Sequence, residues 1–500
     1  MSRVLNPEEE ENNERSSNSG ENTPVAHPAH PYLLSPNEVG LFQTADTLEL
    51  LPEVVHVKLD RYAELFHRPY RINHSEYDHV YITSDIHADL EKLDSMLMTA
   101  GLIRREPYSP ELGLDPLVHI VCNTEWSVFR TVFIIIGDVV DGRRGSDALE
   151  IPDPKGNIEL LLHAYLYNIR IKANALESEI RFTIGNHDFH TIIEDHTELR
   201  DFYSRHVHRT AQRYFVNRQG RRTCLMPFYQ CCAYLMVTIS DEIACVHGGF
   251  VGYTGAGFQD NAAFMVVAQQ RIDAAGGDFY ALTDPQLNAL ATPHDAANQR
   301  GGYEVSPLWS RWYAYTSEAG VCAHINRRDN PYKMIVVGHC QTGNSLLRSC
   351  CADGAGGHGN TILARPEYTR HNCHRGGCVL VGCRDPEGIP RLAFVDIAMS
   401  RAFNPALTLQ VRAEVLHLQN NDALDDAQRF YNTIERLNVG MGGNPEVVWM
   451  AEAAVLSGGR RNRTRRGRNR NSKRLSKLRR RRTKILRRRS DKRSGDKRRG

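Results

Sequence analysis

The chain has 500 residues, 41% of them hydrophobic and 24% charged. That is apolar material for one large or two ordinary domains, and no run of about 18 apolar residues offers a membrane span. The net charge of +3 conceals a division: residues 460–500 carry 23 Lys and Arg against Asp491 and Asp496, a net of +21, so the rest of the chain sums to −18. The N-terminus has no apolar leader core, and the 12 cysteines fall in apolar runs or adjacent pairs, so reduced thiols in an intracellular setting, nucleus or cytoplasm, are expected.

In chain order, residues 1–48 are polar and Pro-containing and read as a disordered N-terminus. From 49 to 402 the pattern is that of one domain, with short runs rich in Val and Ile at "HVYIT" (79–83), "TVFIII" (131–136), "RFTI" (181–184), "AYLMVTI" (233–239), "IACV" (243–246) and "KMIVV" (333–337). Between them, Leu90, Leu93, Leu97 and Ala100 recur at helical spacing, and 157–176 and 196–215 are longer helix candidates. Residues 255–305 read as a helical insertion, 378–396 as a hairpin, 403–437 as two helices of an extension over 403–458, and 459–500 as a basic disordered tail. Strands alternating with helices indicate an α/β layered domain, whose ligands sit beyond the carboxyl ends of the strands.

Five of the six apolar runs lead straight into polar residues there. The first gives Asp85 and His87, the second Asp138 and Asp141, the third Asn186, His187 and Asp188, the fifth His247 and the sixth His339. Carboxylate, imidazole and amide donors suit divalent ions of the manganese, iron or zinc kind, and one carboxylate can bridge two ions. The glycines before Asp138, Asn186 and His339 suit turns that reverse the chain as a ligand is presented. Each piece alone is a common surface turn; the agreement of ligand type and strand-end placement across the set is what signals a site.

The ordered series Asp-x-His, Gly-Asp-x-x-Asp, Gly-Asn-His-Asp, His-Gly-Gly and Gly-His resembles the calcineurin-like metallophosphoesterases over about residues 80–400. The resemblance implies a four-layer α/β/β/α sandwich with two divalent metals (Mn, Fe or Zn) at one rim. By motif, Asp85 and His87 would hold the first metal, Asp138 would bridge, and Asn186, His247 and His339 would hold the second. His187 would be the general acid oriented by Asp141, and Arg143 or Arg144 would grip phosphate oxygens. The implied reaction is attack of a metal-bridging hydroxide on a phosphate ester, with no phosphoenzyme.

Within the family, the two glycines after His247, the "GHCQT" after the sixth run and "SPLWSRWY" (306–313) resemble the phosphoprotein-phosphatase-like branch, especially its Shewanella-like members. That match adds Arg311 as a phosphate contact and implies a phosphorylated substrate, a phosphoprotein of the Ser/Thr type, with no membrane partner. Asp188 stands where that branch usually has Glu, and Gly142 separates Asp141 from the arginines. A dinucleoside polyphosphate hydrolase or nuclease of the same superfamily is the alternative. A nucleic-acid-binding or scaffold protein using the Arg-rich tail is the alternative of another class. Residues 460–500 suit phosphate backbones without sequence choice, or an acidic partner, or nuclear entry. They contain no aromatic residue for base stacking. Cys350, Cys351, His371, Cys373, His374, Cys378 and Cys383 cluster loosely, without the Cys-x-x-Cys spacing that would mark zinc.

Overall fold

The computed structural model describes residues 30–44, 53–66, 68–140, 158–192, 233–250, 258–291, 306–310, 313, 318–339, 380–384, 390–396, 413–419 and 434–439. The elements in chain order are α1 (Pro36–Thr44), α2 (Glu53–Phe66), β1 (Arg71–Ile72), β2 (His79–Ser84), α3 (Leu90–Thr99), β3 (Ile103–Arg105), α4 (Pro116–Asn123), β4 (Thr124–Trp126) and β5 (Thr131–Ile136). There follow α5 (Ile158–Asn174), β6 (Glu179–Thr183), α6 (Asn186–Ile192), β7 (Ala233–Tyr234), β8 (Met236–Ile239), β9 (Ile243–Val246), α7 (Phe258–Ala274) and α8 (Asp284–Ala291). The last are α9 (Glu318–Ile325), β10 (Met334–Val337), β11 (Leu380–Arg384), β12 (Pro390–Phe394), β13 (Ala413–Gln419) and β14 (Ile434–Val439).

Two six-stranded sheets carry the fold, with orders β14-β13-β2-β5-β6-β7 and β1-β8-β9-β10-β12-β11. In the first, β2, β5, β6 and β7 run parallel; in the second, β9, β10 and β12 do. Continuous apolar runs are what parallel strands covered on both faces require, and every residue of β5 is buried. Helices α3 and α4 pack on α5, and α5 on β6; α7 lies against β8 and α9 against β11. Strands β6 and β8 touch between the sheets, which completes a mixed α/β sandwich with helices outside. No helix among the described residues is long and apolar enough to cross a membrane.

Four features differ from the sequence reading. The run 233–239 is two strands, not one: β7 continues the first sheet beside β6, and β8 enters the second sheet. Leu235 stands between them, its N–H donating to the buried Gln269 Oε1 at 2.6 Å. Second, the disordered N-terminus of 1–48 gives way to α1 at Pro36–Thr44. Val39 and Phe42 are fully buried, and the Leu34 backbone exchanges hydrogen bonds with the side-chain amide of buried Asn168 (2.8 and 3.2 Å). A stretch with two deep anchors is poor in apolar residues overall, and composition alone misses it. Third, of 403–437, expected to hold two helices, the described residues are strands: 413–419 lie in β13, paired antiparallel to β2, and 434–437 in β14, while the rest of that span lies outside the described residues.

The fourth difference concerns thiols. Cys322 of α9 and Cys383 of β11 form a disulfide with Cα atoms 4.7 Å apart, where reduced thiols were expected. Helix α9 packs on β11, so cysteines 61 positions apart meet through a contact that spacing does not reveal. Among the described residues Cys122 and Cys245 are free thiols. The rest of the Cys/His cluster and the helix candidate at 196–215 lie outside the described residues. Replacing Phe42 by Ala should cost about 3–5 kcal/mol, the usual figure for emptying a buried phenyl site. Chemical denaturation reads it, and a change below about 1 kcal/mol would mean that α1 is not part of the core.

Candidate metal centre

Strands β2, β5, β9 and β10 end at the same edge, and β6 runs there into α6. The loops that follow are stitched together by their backbones. Asp85 N–H donates to Gly137 O (3.1 Å), His87 N–H to Asp138 O (2.8 Å), Ala88 N–H to Val139 O (2.8 Å) and Gly338 N–H to His247 O (2.9 Å). Asp85, His87, Asp138 and His339 all have left-handed φ, between 45° and 58°. Such backbone costs of order 1–3 kcal/mol at each non-glycine residue and persists where neighbours over-determine it. Gly185 has no such φ but a different constraint: a Cβ there would fall on the Asp138 carboxylate and backbone N. At Gly137, with φ of 71°, a Cβ would strike the His247 ring.

The six expected metal ligands come together. Asp85, His87 and Asp138 form one group of donors, and Asp138, His247 and His339 a second, each with its ligand atoms within 4.8 Å of one another. Asp138 belongs to both. Its Oδ2 lies 3.4 Å from His247 Nε2, 3.7 Å from His87 Nε2 and 3.9 Å from His187 Nε2. Asn186 joins the second group, with Oδ1 3.0 Å from His247 Nε2. Asp85, His87, Asp138, Asn186 and His247 are 0–2% exposed, while His339 at 7% and His187 at 9% are the more exposed of the set. The rings of His87 and His187 meet edge to face at 5.0 Å, and the His187 backbone N–H donates to Asp138 Oδ1 at 2.9 Å.

Burial alone would raise the Asp138 carboxyl, but the charges of His247 and His187 outweigh it and hold Asp138 well below the usual carboxylate range. Burial likewise acts to lower His247, yet Asp138 and Asp85 push it up to about 10. Asp85 goes the other way: burial, and then the charge of Asp396, raise it well above its ordinary value. Burial at Asp85 and the carboxylates beside His247 thus shift both groups toward their protonated forms. Two groups of oxygen and nitrogen donors sharing a carboxylate fit a pair of divalent ions.

Two buried residues go beyond the sequence reading. Asp188 was read as one of three polar residues after the third run and as a departure from a usual Glu, without a role. Its Oδ1 accepts from Val139 N–H (3.0 Å) and Val140 N–H (3.1 Å), and its Oδ2 from Gly185 N–H (2.9 Å). It locks the Asp138 loop to the Asn186 turn; burial pushes its carboxyl up to about 6 against the pull of those amides. Asp396, fully buried beyond β12, had no signal beyond its strand-end position. Of the other expected site residues, Asp141, Arg143, Arg144 and Arg311 lie outside the described residues.

The family model for calcineurin-like phosphoesterases matches residues 79–340, a span that contains all six expected ligands. No curated protein matches by sequence. Similar solved structures include a cold-active protein tyrosine phosphatase, at 16% identity and TM-score 0.42 over 73% of this chain and 78% of that one. The cold-active protein-tyrosine phosphatase of a psychrophilic Shewanella species is similar at 15% identity and TM-score 0.40, over 71% of this chain and 78% of that one. A protein serine/threonine phosphatase from Saccharomyces cerevisiae is similar at 14% identity and TM-score 0.39, over 83% and 98%.

Two outcomes are expected. Gly185→Ala should abolish metal uptake, measured by metal content after dialysis, because the added methyl displaces Asp138; full uptake would show that the turn can give way. Metal binding should release protons, since His247 and Asp85 sit above their ordinary values and must be unprotonated to ligate. Affinity should therefore rise from pH 6 to pH 8. Calorimetry in buffers of differing ionisation enthalpy counts the protons, and a count of zero would contradict the assignment.

Proposed function

The chain belongs to the calcineurin-like phosphoesterase family, and we propose that it is a metal-dependent phosphomonoesterase acting on phosphoproteins. The observation that carries this reading is the meeting of two donor groups on Asp138, with the His187 ring 3.9 Å from the shared carboxylate. Asp85, His87 and Asp138 would hold one divalent ion, and Asp138, Asn186, His247 and His339 the other. Such ions supply Lewis acidity toward phosphoryl oxygens and lower the pKa of water toward about 7.

The protein's own part is positioning and proton transfer. Asp138 is fixed by the His187 amide and lies within 4 Å of three imidazoles, so its orientation is set before substrate arrives. His187 extends from the first turn of α6, beside the shared carboxylate, where it can protonate a departing alkoxide or phenolate oxygen. In this reading Asp141 orients the His187 ring, and Arg143, Arg144 and Arg311 grip non-bridging phosphate oxygens with planar forks. The support for these four is the sequence pattern. The phosphoprotein preference draws on the His-Gly-Gly and Pro-Leu-Trp segments. The two are in contact: Gly248 N–H donates to Pro307 O at 2.8 Å, and Trp309 meets His339 edge-on at 6.0 Å.

A second reading, a nuclease or dinucleoside polyphosphate hydrolase, is favoured by one observation, the +21 charge of residues 460–500. A panel of phosphopeptide, aryl monoester, bis-ester, dinucleoside polyphosphate and single-stranded DNA, assayed with manganese, separates the two. Monoesters should be turned over and bis-esters spared; the reverse would install the second reading. His187→Ala should lower kcat by about 10²–10⁴, more for an alkyl phosphoserine peptide than for an aryl phosphate with a good leaving group, at unchanged metal content. Equal losses on both substrates would deny it the role of acid. Deleting 460–500 should spare aryl phosphate hydrolysis and weaken polyanion binding with a steep salt dependence; salt-independent binding would refute an electrostatic arm.

A further inference from the structure

The strands that deliver donors to the metal centre begin at the opposite end of the sheets, and a cavity of about 620 Å³ opens there. It lies across the seam between the two sheets. Strand β6 contributes Glu179 and Arg181 from its start, β1 and the residues beside it contribute Arg68, Arg71, Asn73 and Glu76, and the turn after β8 contributes Asp241. The length of β6, roughly 16 Å for a strand of this size, separates this pole from the Asn186 turn. Arg181 is 2% exposed; its Nε donates to Glu179 Oε2 and its Nη1 to Pro69 O, both at 2.6 Å. Arg68 Nε donates to the other oxygen of Glu179 at 3.2 Å. Arg71 Nη1 donates to Asp241 Oδ2 at 3.1 Å and its Nε to Tyr70 Oη at 2.9 Å.

Glu179 and Asp241 are therefore engaged by guanidinium groups, and the hydrogen-bonding capacity left in the cavity is mostly that of donors. Among the described residues, neither Nη of Arg68, nor Nη2 of Arg71, nor the side-chain nitrogen of Asn73 has a protein acceptor. The Arg68 and Arg71 side chains are 44% and 52% exposed, so these N–H groups face solvent. Glu76 is the one lining carboxylate without a guanidinium partner among the described residues, and it is exposed. Guanidinium forks bind planar or tetrahedral oxyanions through two hydrogen bonds at a time, and the volume is that of a small-molecule site. With His74 neutral, the three arginines and three carboxylates of the lining balance, so a polyanion gains little there from net charge. We propose that this cavity is a second ligand site, remote from the metal centre, for a small molecule bearing one carboxylate or phosphate group held by the forks of Arg68 and Arg71. Arg68 is tied to β6 of the first sheet and Arg71 belongs to β1 of the second, so the ligand would join the two sheets at the pole where no metal does. The inference is independent of the metal-centre reading.

The test is equilibrium dialysis of the full chain against labelled inorganic phosphate and, separately, labelled acetate. A chelator is kept present so that no anion is held by metal, and about 0.5 M NaCl screens the basic residues 460–500. Wild type should bind one equivalent of at least one of the two probes, saturably and at millimolar concentration. Saturation by phosphate with acetate excluded assigns a phosphate ligand, and saturation by acetate assigns a carboxylate. Arg68→Ala and Arg71→Ala should each weaken that binding by about tenfold or more, the usual worth of a hydrogen bond to a charged group. Arg71→Lys, which keeps the charge and loses the fork, should weaken it as well. Both arginines are half-exposed and their ion pairs lie at the surface, so the variants should unfold within a few degrees of wild type when no anion is added; were an Ala variant to fail to fold, Arg71→Lys gives the reading. Absence of saturable binding of either probe to wild type would overturn the proposal. So would undiminished binding in the folded variants, which would place the anion elsewhere.

Discussion

Asp138 is the charge about which the domain is organised. A carboxylate 2% exposed costs several kcal/mol to bury unless it is paired and hydrogen-bonded. Three imidazoles within 4 Å and one backbone amide meet that demand; they come from three residues, His87, His187 and His247, each at a different strand-end or turn. The arrangement forces the backbone into left-handed conformations at Asp85, His87, Asp138 and His339. The cross-loop hydrogen bonds, with Asp188 holding two loops at once, are what make those conformations sustainable. A divalent cation among these donors would supply the positive charge that a buried carboxylate of this kind requires.

The sheets are arranged to bring these ends together. Because β7 belongs to the first sheet and β8 to the second, the chain crosses between layers at Leu235 without a long loop. The β8–β9 hairpin then returns His247 to the edge where Asp138 already stands. Parallel pairing of β9 with β10 and of β10 with β12 places His339 and Asp396 there as well. Apolar interdigitation fixes the strands, and the strands fix the donors; the turns need only the small residues that close approach demands, as at Gly137 and Gly185.

Much of this was legible in the residues. Buried parallel strands announce themselves as unbroken Val and Ile runs, and a polar ligand directly after such a run can point only to the sheet edge. The convergence of the six expected ligands, the α3 and α5 helices and the β11–β12 hairpin followed from that logic. What escaped had no local signature. Helix α1 is anchored by two residues in a polar stretch, and β13–β14 exists because β2 offers it an edge. The Cys322–Cys383 pair arises from helix-on-sheet packing across 61 positions. Asp188 differs from a surface aspartate only through the three amides that the fold aims at it, and Asp396 only through the company it keeps.

The β13–β14 ribbon carries a consequence for how the chain is handled. Strand β2, which presents Asp85 and His87, has β5 on one side and β13 on the other, and β13 lies well beyond the stretch matched by the family. A protein trimmed to that stretch would leave the β2 backbone donors and acceptors bare along one side. Bare strands of that kind recruit their own copies, so the shortened protein would tend toward intermolecular ladders and turbidity. What looks like a dispensable C-terminal extension is the guard rail of the strand that begins the metal centre.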